Sequence, residues 1–133
     1  MTNIPTLQTI TDTFSILDDW EDRYAYLIDL GRNLPPFPEE QKTDENIVQG
    51  CTSQVWMVLN IENDVINITS TSDAHIVRGL IALVIAVYNN KSLSDIKNID
   101  IDDIFNDMGL SEHLSPNRRS GFFAMVEKIK NAS

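Results

Sequence analysis

Apolar and polar residues alternate in two neighbouring stretches near the middle of the chain. One face is apolar throughout from Gln54 to Ile61, and the alternation resumes from Val65 to Ser70 after the polar turn Glu62-Asn63-Asp64. Period-two alternation around turn residues is typical of an antiparallel β-hairpin. Ile47 and Val48 are expected to add a short third strand, so the predicted sheet spans Ile47 to Ser70.

The strongest helical pattern follows this hairpin. From Ala74 to Asn89, apolar residues cover most of a helical surface, which is typical of a helix buried at the centre of a domain. Asp73 is expected to cap this helix, because its carboxylate can accept hydrogen bonds from free backbone N–H groups. The longest apolar run, Gly79 to Tyr88, is too short to span a bilayer.

Other helices are predicted where apolar residues recur at helical spacing behind a capping residue. They follow Thr6, Asp18 or Asp19 (through Asn33), Ser92, Asp100 or Asp102, and Ser115 with Pro116. Several helices with one small antiparallel sheet predict the α+β class. The length of 133 residues fits one domain, so residues 1–133 are expected to form a single domain.

Charge and cysteine content narrow the function classes. Twenty acidic and ten basic residues give a formal net charge of -10. This charge repels phosphate backbones and anionic lipids, so we expect neither a nucleic-acid partner nor a membrane partner. The single cysteine cannot form an internal disulfide, and no secretory pattern is visible at the N-terminus. Both observations favour a cytoplasmic protein.

The cysteine is the first candidate for chemistry. Cys51 directly follows Gly50 and precedes the turn-forming residues Thr52 and Ser53. Glycine before the thiol indicates a sharp turn, so Cys51 is expected on a tight loop at the edge of the sheet. The residue types leave two interpretations open, a small buried side chain that only packs and a functional thiol.

Histidines and arginines supply the remaining candidates. A metal site or a Cys–His hydrolase would bring Cys51 to His75 or His113, but these residues lack the close-paired spacing of structural zinc sites. We therefore expect no bound zinc or iron and a simply solvated His113. Arg118 in the first turn of the last helix opposes the helix dipole, which mildly indicates function.

Four separated stretches resemble one protein family. Ile47–Trp56 closely resembles the signature of SufE/CsdE-type proteins, which are sulfur acceptors that activate cysteine desulfurases. The resemblance continues, in order and over nearly the whole chain, in Trp20–Tyr24, in Ser72–Ala74 with Ile76–Leu80, and in His113–Arg118.

The resemblance implies a fold, a site and a partner. The fold would be a small antiparallel sheet packed with helices, similar to iron–sulfur scaffold (IscU-like) proteins. Cys51 would take persulfide sulfur from a desulfurase that uses pyridoxal phosphate (PLP) and pass it towards an iron–sulfur scaffold. The partner surface would include Asp73, Arg118, Gly50 and Gln54. The chain would be an accessory protein, not an enzyme, and would bind no cofactor itself.

Two other functions stay open beside this sulfur relay. A binding module could activate the desulfurase without carrying sulfur, and a Cys–His hydrolase would act alone. The relay makes a structural demand that the alternatives do not. An apolar pocket formed with Val55, Trp56 or the central helix would shelter the persulfide, and the loop would swing outward to deliver it.

Overall fold

The computed structural model describes residues 4–50 and 53–132, so Cys51 and Thr52 lie outside the described residues. The elements follow in the order α1 (Leu7–Ile16), α2 (Trp20–Arg32), β1 (Val55–Glu62), β2 (Val65–Ser72), α3 (His75–Tyr88), α4 (Leu93–Asn98), α5 (Ile101–Asp107), α6 (Leu110–His113) and α7 (Pro116–Asn131). Two 3-10 turns, Glu39–Gln41 and Asp44–Asn46, lie between α2 and β1. The predicted α+β class is confirmed.

The hairpin is antiparallel, as predicted. Its register runs from Val55 opposite Ser72 to Glu62 opposite Val65. Asn63 and Asp64 form the two-residue turn with φ values of 53° and 64°, and a type I′ turn requires positive φ at both positions. The predicted third strand is reduced to one bridge between Ile47 and Trp56, because the 3-10 turn Asp44–Asn46 precedes it and the chain turns at Gly50 after it.

Helix α3 is the most buried element, as the sequence predicts, with ten of its 14 residues buried. It packs closely on α2, since a Cβ built on Gly79 would lie 2.3 Å from the Leu27 carbonyl oxygen. Only glycine allows the two backbones to approach so closely. Although α3 is strongly apolar, none of the described helices has both the length and the apolarity to cross a membrane.

The helix caps show where local sequence decides the structure. At five predicted positions the capping side chain accepts a hydrogen bond from a backbone N–H in the first turn, namely Thr6, Asp19, Ser92, Asp100 and Ser115. The predicted cap at Asp73 is wrong. Strand β2 continues to Ser72, so the capping position of α3 falls on Ala74, which provides no side-chain cap.

One buried polar atom breaks the apolar continuity of α3. The Tyr88 side chain is fully buried, and its hydroxyl has no hydrogen-bond partner among the described residues. Burial, and secondarily the negative charge of Asp102, raises the pKa of Tyr88 to about 12. The folded state therefore disfavours the phenolate more than the unfolded state does.

Tyr88→Phe is expected to equal or exceed the wild type in stability, by up to about 1 kcal/mol, because it removes an unsatisfied buried hydroxyl. The pKa of Tyr88 is higher folded, at about 12, than the reference value of 10.0, so its neutral form stabilises the fold below pH 10 and this contribution is lost as pH rises through 12. Chemical denaturation across this range should show a smaller loss of stability in Tyr88→Phe. A less stable variant at neutral pH would contradict the assignment.

Candidate functional site

The chain on both sides of Cys51 lies beside α7. Gly50 has a φ of +93°, which confirms the sharp turn predicted there. A Cβ built on Gly50 would lie 3.4 Å from the Ala124 Cβ of α7, and Ser53 lines a cavity together with α7 residues. The thiol itself is outside the described residues, so its predicted position on the loop stays a prediction.

The cavity beside Ser53 has a volume of about 350 Å³. Its buried lining comes from α3 and α7 and consists of Val77, Leu80, Gly121, Phe122 and Met125. Its more exposed lining is polar and consists of Ser53, Ser115, Asn117 and Arg118. The arrangement provides an apolar chamber that opens through polar residues next to the cysteine loop.

The walls of this cavity agree only in part with the sequence-based expectation. Its lining includes the central helix, through Val77 and Leu80. Val55 and Trp56 are not among its lining residues. Val55 is fully buried in the core, and the Trp56 ring lies 5.5 Å from the Lys42 ammonium nitrogen on the opposite face of the hairpin. Val55 and Trp56 point to opposite faces of the hairpin because side chains alternate along a strand. Helix α7 forms the wall of the cavity that these residues were expected to form.

Arg118 reaches the cavity because of the way α7 begins. The Ser115 hydroxyl accepts a hydrogen bond from the Arg118 backbone N–H at 3.3 Å, and Pro116 starts the helix. This cap fixes the first turn, whose residues line the cavity opening. Arg118 is the only charged residue in the described lining, in a chain of net charge -10.

Gln54 and Asp73 meet where the hairpin opens into the loop. The Gln54 carbonyl accepts hydrogen bonds from the Ser72 hydroxyl at 2.7 Å and from the Asp73 backbone N–H at 3.4 Å. Both the Gln54 and Asp73 side chains are exposed. The structure thus joins these two candidate residues to one another, and Ser53 connects them along the chain to the cavity that Arg118 lines.

Sequence reasoning missed a contact that supports the turn before α7. The His113 ring stacks on Trp20 with the ring centroids 4.0 Å apart, and the Tyr24 hydroxyl donates to the His113 carbonyl. His113 is exposed to solvent, as expected, but its ring also packs on Trp20, which the sequence did not predict. One signal in the sequence could have indicated this contact, since Trp20–Tyr24 and His113–Arg118 both belong to the stretches that resemble the family.

Neither histidine lines the described cavity. His75 is exposed at the start of α3, and His113 is stacked on Trp20. Within residues 4–50 and 53–132, no three His, Cys, Asp or Glu residues are grouped to hold a metal ion. A Cys–His hydrolase would need an imidazole beside the thiol, and the described lining offers none.

Comparison with known proteins now identifies the chain. The model of the SufE family, described as an Fe-S metabolism associated domain, matches residues 8–133. The chain belongs to the SufE family. An uncharacterized SufE-like protein of Rhizobium meliloti strain 1021 is 50% identical over 129 residues, covering 94% of this chain and 92% of the relative. Another from Rhizobium etli is 48% identical over 128 residues, covering 93% and 86%.

A solved structure supports the fold. The solution structure of a hypothetical protein from Thermus thermophilus superimposes with a TM-score of 0.75, covering 98% of this chain and 94% of that chain. The two sequences are only 19% identical, so this likeness concerns the fold alone.

Membership of the SufE family associates the chain with iron–sulfur metabolism and suggests a cysteine desulfurase as the partner, with this chain as an accessory protein. The stretches that resemble the family converge in the fold. The stretch Ile47–Trp56 lies beside α7 at Gly50, and the stretch that contains Val77 and Leu80 forms a wall of the cavity. The stretch His113–Arg118 lines the opening through Arg118 and contacts the stretch Trp20–Tyr24 through the stacked rings of His113 and Trp20.

Proposed function

We propose that this SufE-family chain takes sulfur from the persulfide of a PLP-dependent cysteine desulfurase onto Cys51 and passes it on for iron–sulfur cluster assembly. The observation that carries the proposal is the apolar cavity of about 350 Å³ beside Ser53, two residues from the thiol. The recipient would be an iron–sulfur scaffold protein. A reducing, cytoplasmic compartment suits a lone reactive thiol.

The transfer step is a thiol–persulfide exchange. The Cys51 thiolate would attack the outer sulfur of the enzyme's persulfide, forming a new S–S bond as the bond to the enzyme's sulfur breaks. The enzyme's cysteine leaves as a thiolate and takes up a proton. The sulfane sulfur moves without a net change of oxidation state, so no external oxidant or reductant is needed.

Two features of the cavity suit this step. A cation next to a cysteine favours the thiolate that attacks, and Arg118 is the charged residue in the described lining. The buried side chains of Leu80, Phe122 and Met125 would then surround a persulfide with apolar groups and keep oxidants and stray thiols away. Delivery to the partner would require the loop to swing outward.

The proposal also covers the domain organisation of the chain and its cofactor requirement. One thiol is sufficient for a relay, so we propose one sulfur-acceptor domain over residues 1–133 that holds no cofactor or metal of its own. A fold relationship to IscU-like scaffold proteins is part of the same proposal. Its check is a structural superposition of this chain on such a scaffold.

The proposal is tested by mass spectrometry of the protein after incubation with a cysteine desulfurase and free cysteine. We expect the peptide that contains Cys51 to gain the mass of one sulfur atom, and a reducing agent to remove it. The control is the same incubation without free cysteine. An unmodified Cys51 peptide beside an active desulfurase would exclude the relay.

Asp73→Ala and Arg118→Ala are each expected to weaken desulfurase stimulation, raising the concentration for half-maximal effect by roughly three- to tenfold, because both side chains are exposed near the loop. Asp73→Ala should change the free energy of unfolding by less than about 0.5 kcal/mol, since Asp73 caps no helix. Steady-state kinetics and thermal unfolding check both points.

Matched controls for these two variants are Asp18→Ala and Lys97→Ala, which remove exposed charges away from the cavity. Stimulation by the controls should equal that of the wild type. If all four variants behave alike, the partner binds another surface.

A further inference from the structure

A second cavity, of about 210 Å³, lies where the connection between α2 and β1 covers strand β2 and helix α3. The charged residues in its described lining are Arg32, Lys42 and Arg78, and none of its described lining residues is acidic. The chain as a whole has twice as many acidic as basic residues. Three cations therefore line one small cavity, and Arg78 is the one of them that forms no ion pair in the described part of the chain.

Arg78 differs from the other two cations in its partner. It is half-buried on α3, and its Nε donates to the Ser72 carbonyl at 2.6 Å. In the described part of the chain no carboxylate lies within ion-pair distance of it, since the ion pairs there join Arg32 to Asp29 and Lys42 to Glu39. One carbonyl leaves the two terminal NH₂ groups of the guanidinium without an acceptor that the structure shows.

Arg23 shows how this fold satisfies a comparable arginine. Its Nε donates to the carbonyls of Phe14 and Leu17, both at 3.1 Å, and its guanidinium carbon lies 5.0 Å from the Trp20 ring centre. Arg78 has neither a second carbonyl nor an aromatic face among its described contacts. The terminal nitrogens of Arg78 are not among the buried atoms that lack a partner, so they face solvent and are available to an anion.

The two other cations can turn to a ligand. Arg32 and Lys42 each pair at 2.9 Å with a carboxylate three residues away, and the side chains of Asp29 and Glu39 are 64% and 83% exposed. Ion pairs whose carboxylate is this exposed contribute little to stability, so an anion in the cavity can compete for or share these cations.

The cavity is also preorganised. A Cβ on Gly31 would lie 2.7 Å from the Arg78 Cβ, so α2 packs closely against α3 at the base of the Arg78 side chain. Pro35 and Pro36 have fixed φ and form another wall. The Ser72 carbonyl orients the planar guanidinium through Nε, and the two terminal NH₂ groups then present paired N–H donors that match the two oxygens of a carboxylate or phosphate.

We propose that Arg78, with Lys42 and Arg32, binds a single oxyanion group, a carboxylate or a phosphate. The volume of about 210 Å³ suits one such group and not a larger organic ligand. This inference is independent of sulfur transfer, because none of these residues lines the cavity beside Ser53.

The test is a two-dimensional NMR titration of the full chain with sodium phosphate and, separately, with sodium acetate, at constant ionic strength set by sodium chloride. We expect saturable shifts in the backbone amide signals of residues around Arg78 and Thr71. Tighter saturation by phosphate would assign a tetrahedral oxyanion, and tighter saturation by acetate would assign a carboxylate. Unsaturable or scattered shifts with both would overturn the proposal.

Substitutions distinguish a specific anion-binding site from a general attraction of anions to exposed cations. Arg78→Gln and Lys42→Gln are each expected to weaken the tighter ion by about tenfold or more, whereas the control Lys97→Gln should leave binding unchanged. Equal weakening by Lys97→Gln would mean an adventitious ion only. If Arg78→Gln fails to fold in a thermal unfolding check, Lys42→Gln, which changes a residue of the connecting loop, decides the test by the same criterion.

Discussion

Cys51→Ser is expected to abolish sulfur acceptance and to return desulfurase activity to its level without this chain. A serine hydroxyl cannot form a persulfide, so the exchange step has no acceptor atom. The substitution should leave the fold intact, because the described core is built from the helices and the hairpin. The measurement is the rate of alanine formation by the desulfurase with and without each protein, beside circular dichroism of the variant.

The same variant distinguishes the relay from a binding module. If the chain only holds the desulfurase in an active conformation, Cys51→Ser keeps most of the stimulation. The surface variants provide the matched comparison, since Arg118→Ala should raise the concentration needed while the Cys51 peptide still gains sulfur. Retained stimulation by Cys51→Ser would therefore favour the non-covalent alternative.

Local patterns predicted most of the elements of this fold. Alternation around Asn63 and Asp64 predicted the hairpin, because side chains on a strand alternate between a buried and an open face. The nearly continuous apolar surface of α3 predicted its central position. The cap at Ser115 was also predictable, since capping depends on residues within one helical turn.

The errors arose where a neighbouring element decides the outcome. Asp73 has the right side chain for a cap, but strand β2 extends to Ser72 and shifts the start of α3. The Trp20–His113 stack joins residues far apart in sequence, which local periodicity cannot reveal. For the same reason the sequence did not predict that α7 would form a wall of the cavity.

The candidate site also has one feature that local sequence predicts and others that depend on how separate elements pack together. The turn at Gly50 was predictable from the residue type, and its φ of +93° bears this out. The cavity beside Ser53 and the missing counter-charge of Arg78 depend on which helices pack together. Neither can be read from spacing along the chain, because each involves at least two separate elements.

Gly50→Val is expected to leave thermal stability nearly normal and to reduce sulfur acceptance by at least about tenfold. A φ of +93° is a conformation that β-branched residues avoid, at a cost of about 1–3 kcal/mol if it is kept. The added Cβ would meet the Ala124 Cβ at 3.4 Å, an ordinary contact, so at the Cβ the obstacle is the backbone conformation. The chain is expected to relieve the strain by moving the loop, outside the packed core.

A displaced loop should affect transfer strongly, because reaction between two sulfur atoms tolerates little misplacement. Gly50→Asn is the matched control, since asparagine adopts positive φ far more readily than valine. It should retain much more sulfur acceptance than Gly50→Val in the same mass-spectrometric assay. Equal and near-normal acceptance by both variants would show that the turn at Gly50 does not position the thiol. A large drop in melting temperature for Gly50→Val would instead show that the loop contributes to the stability of the core.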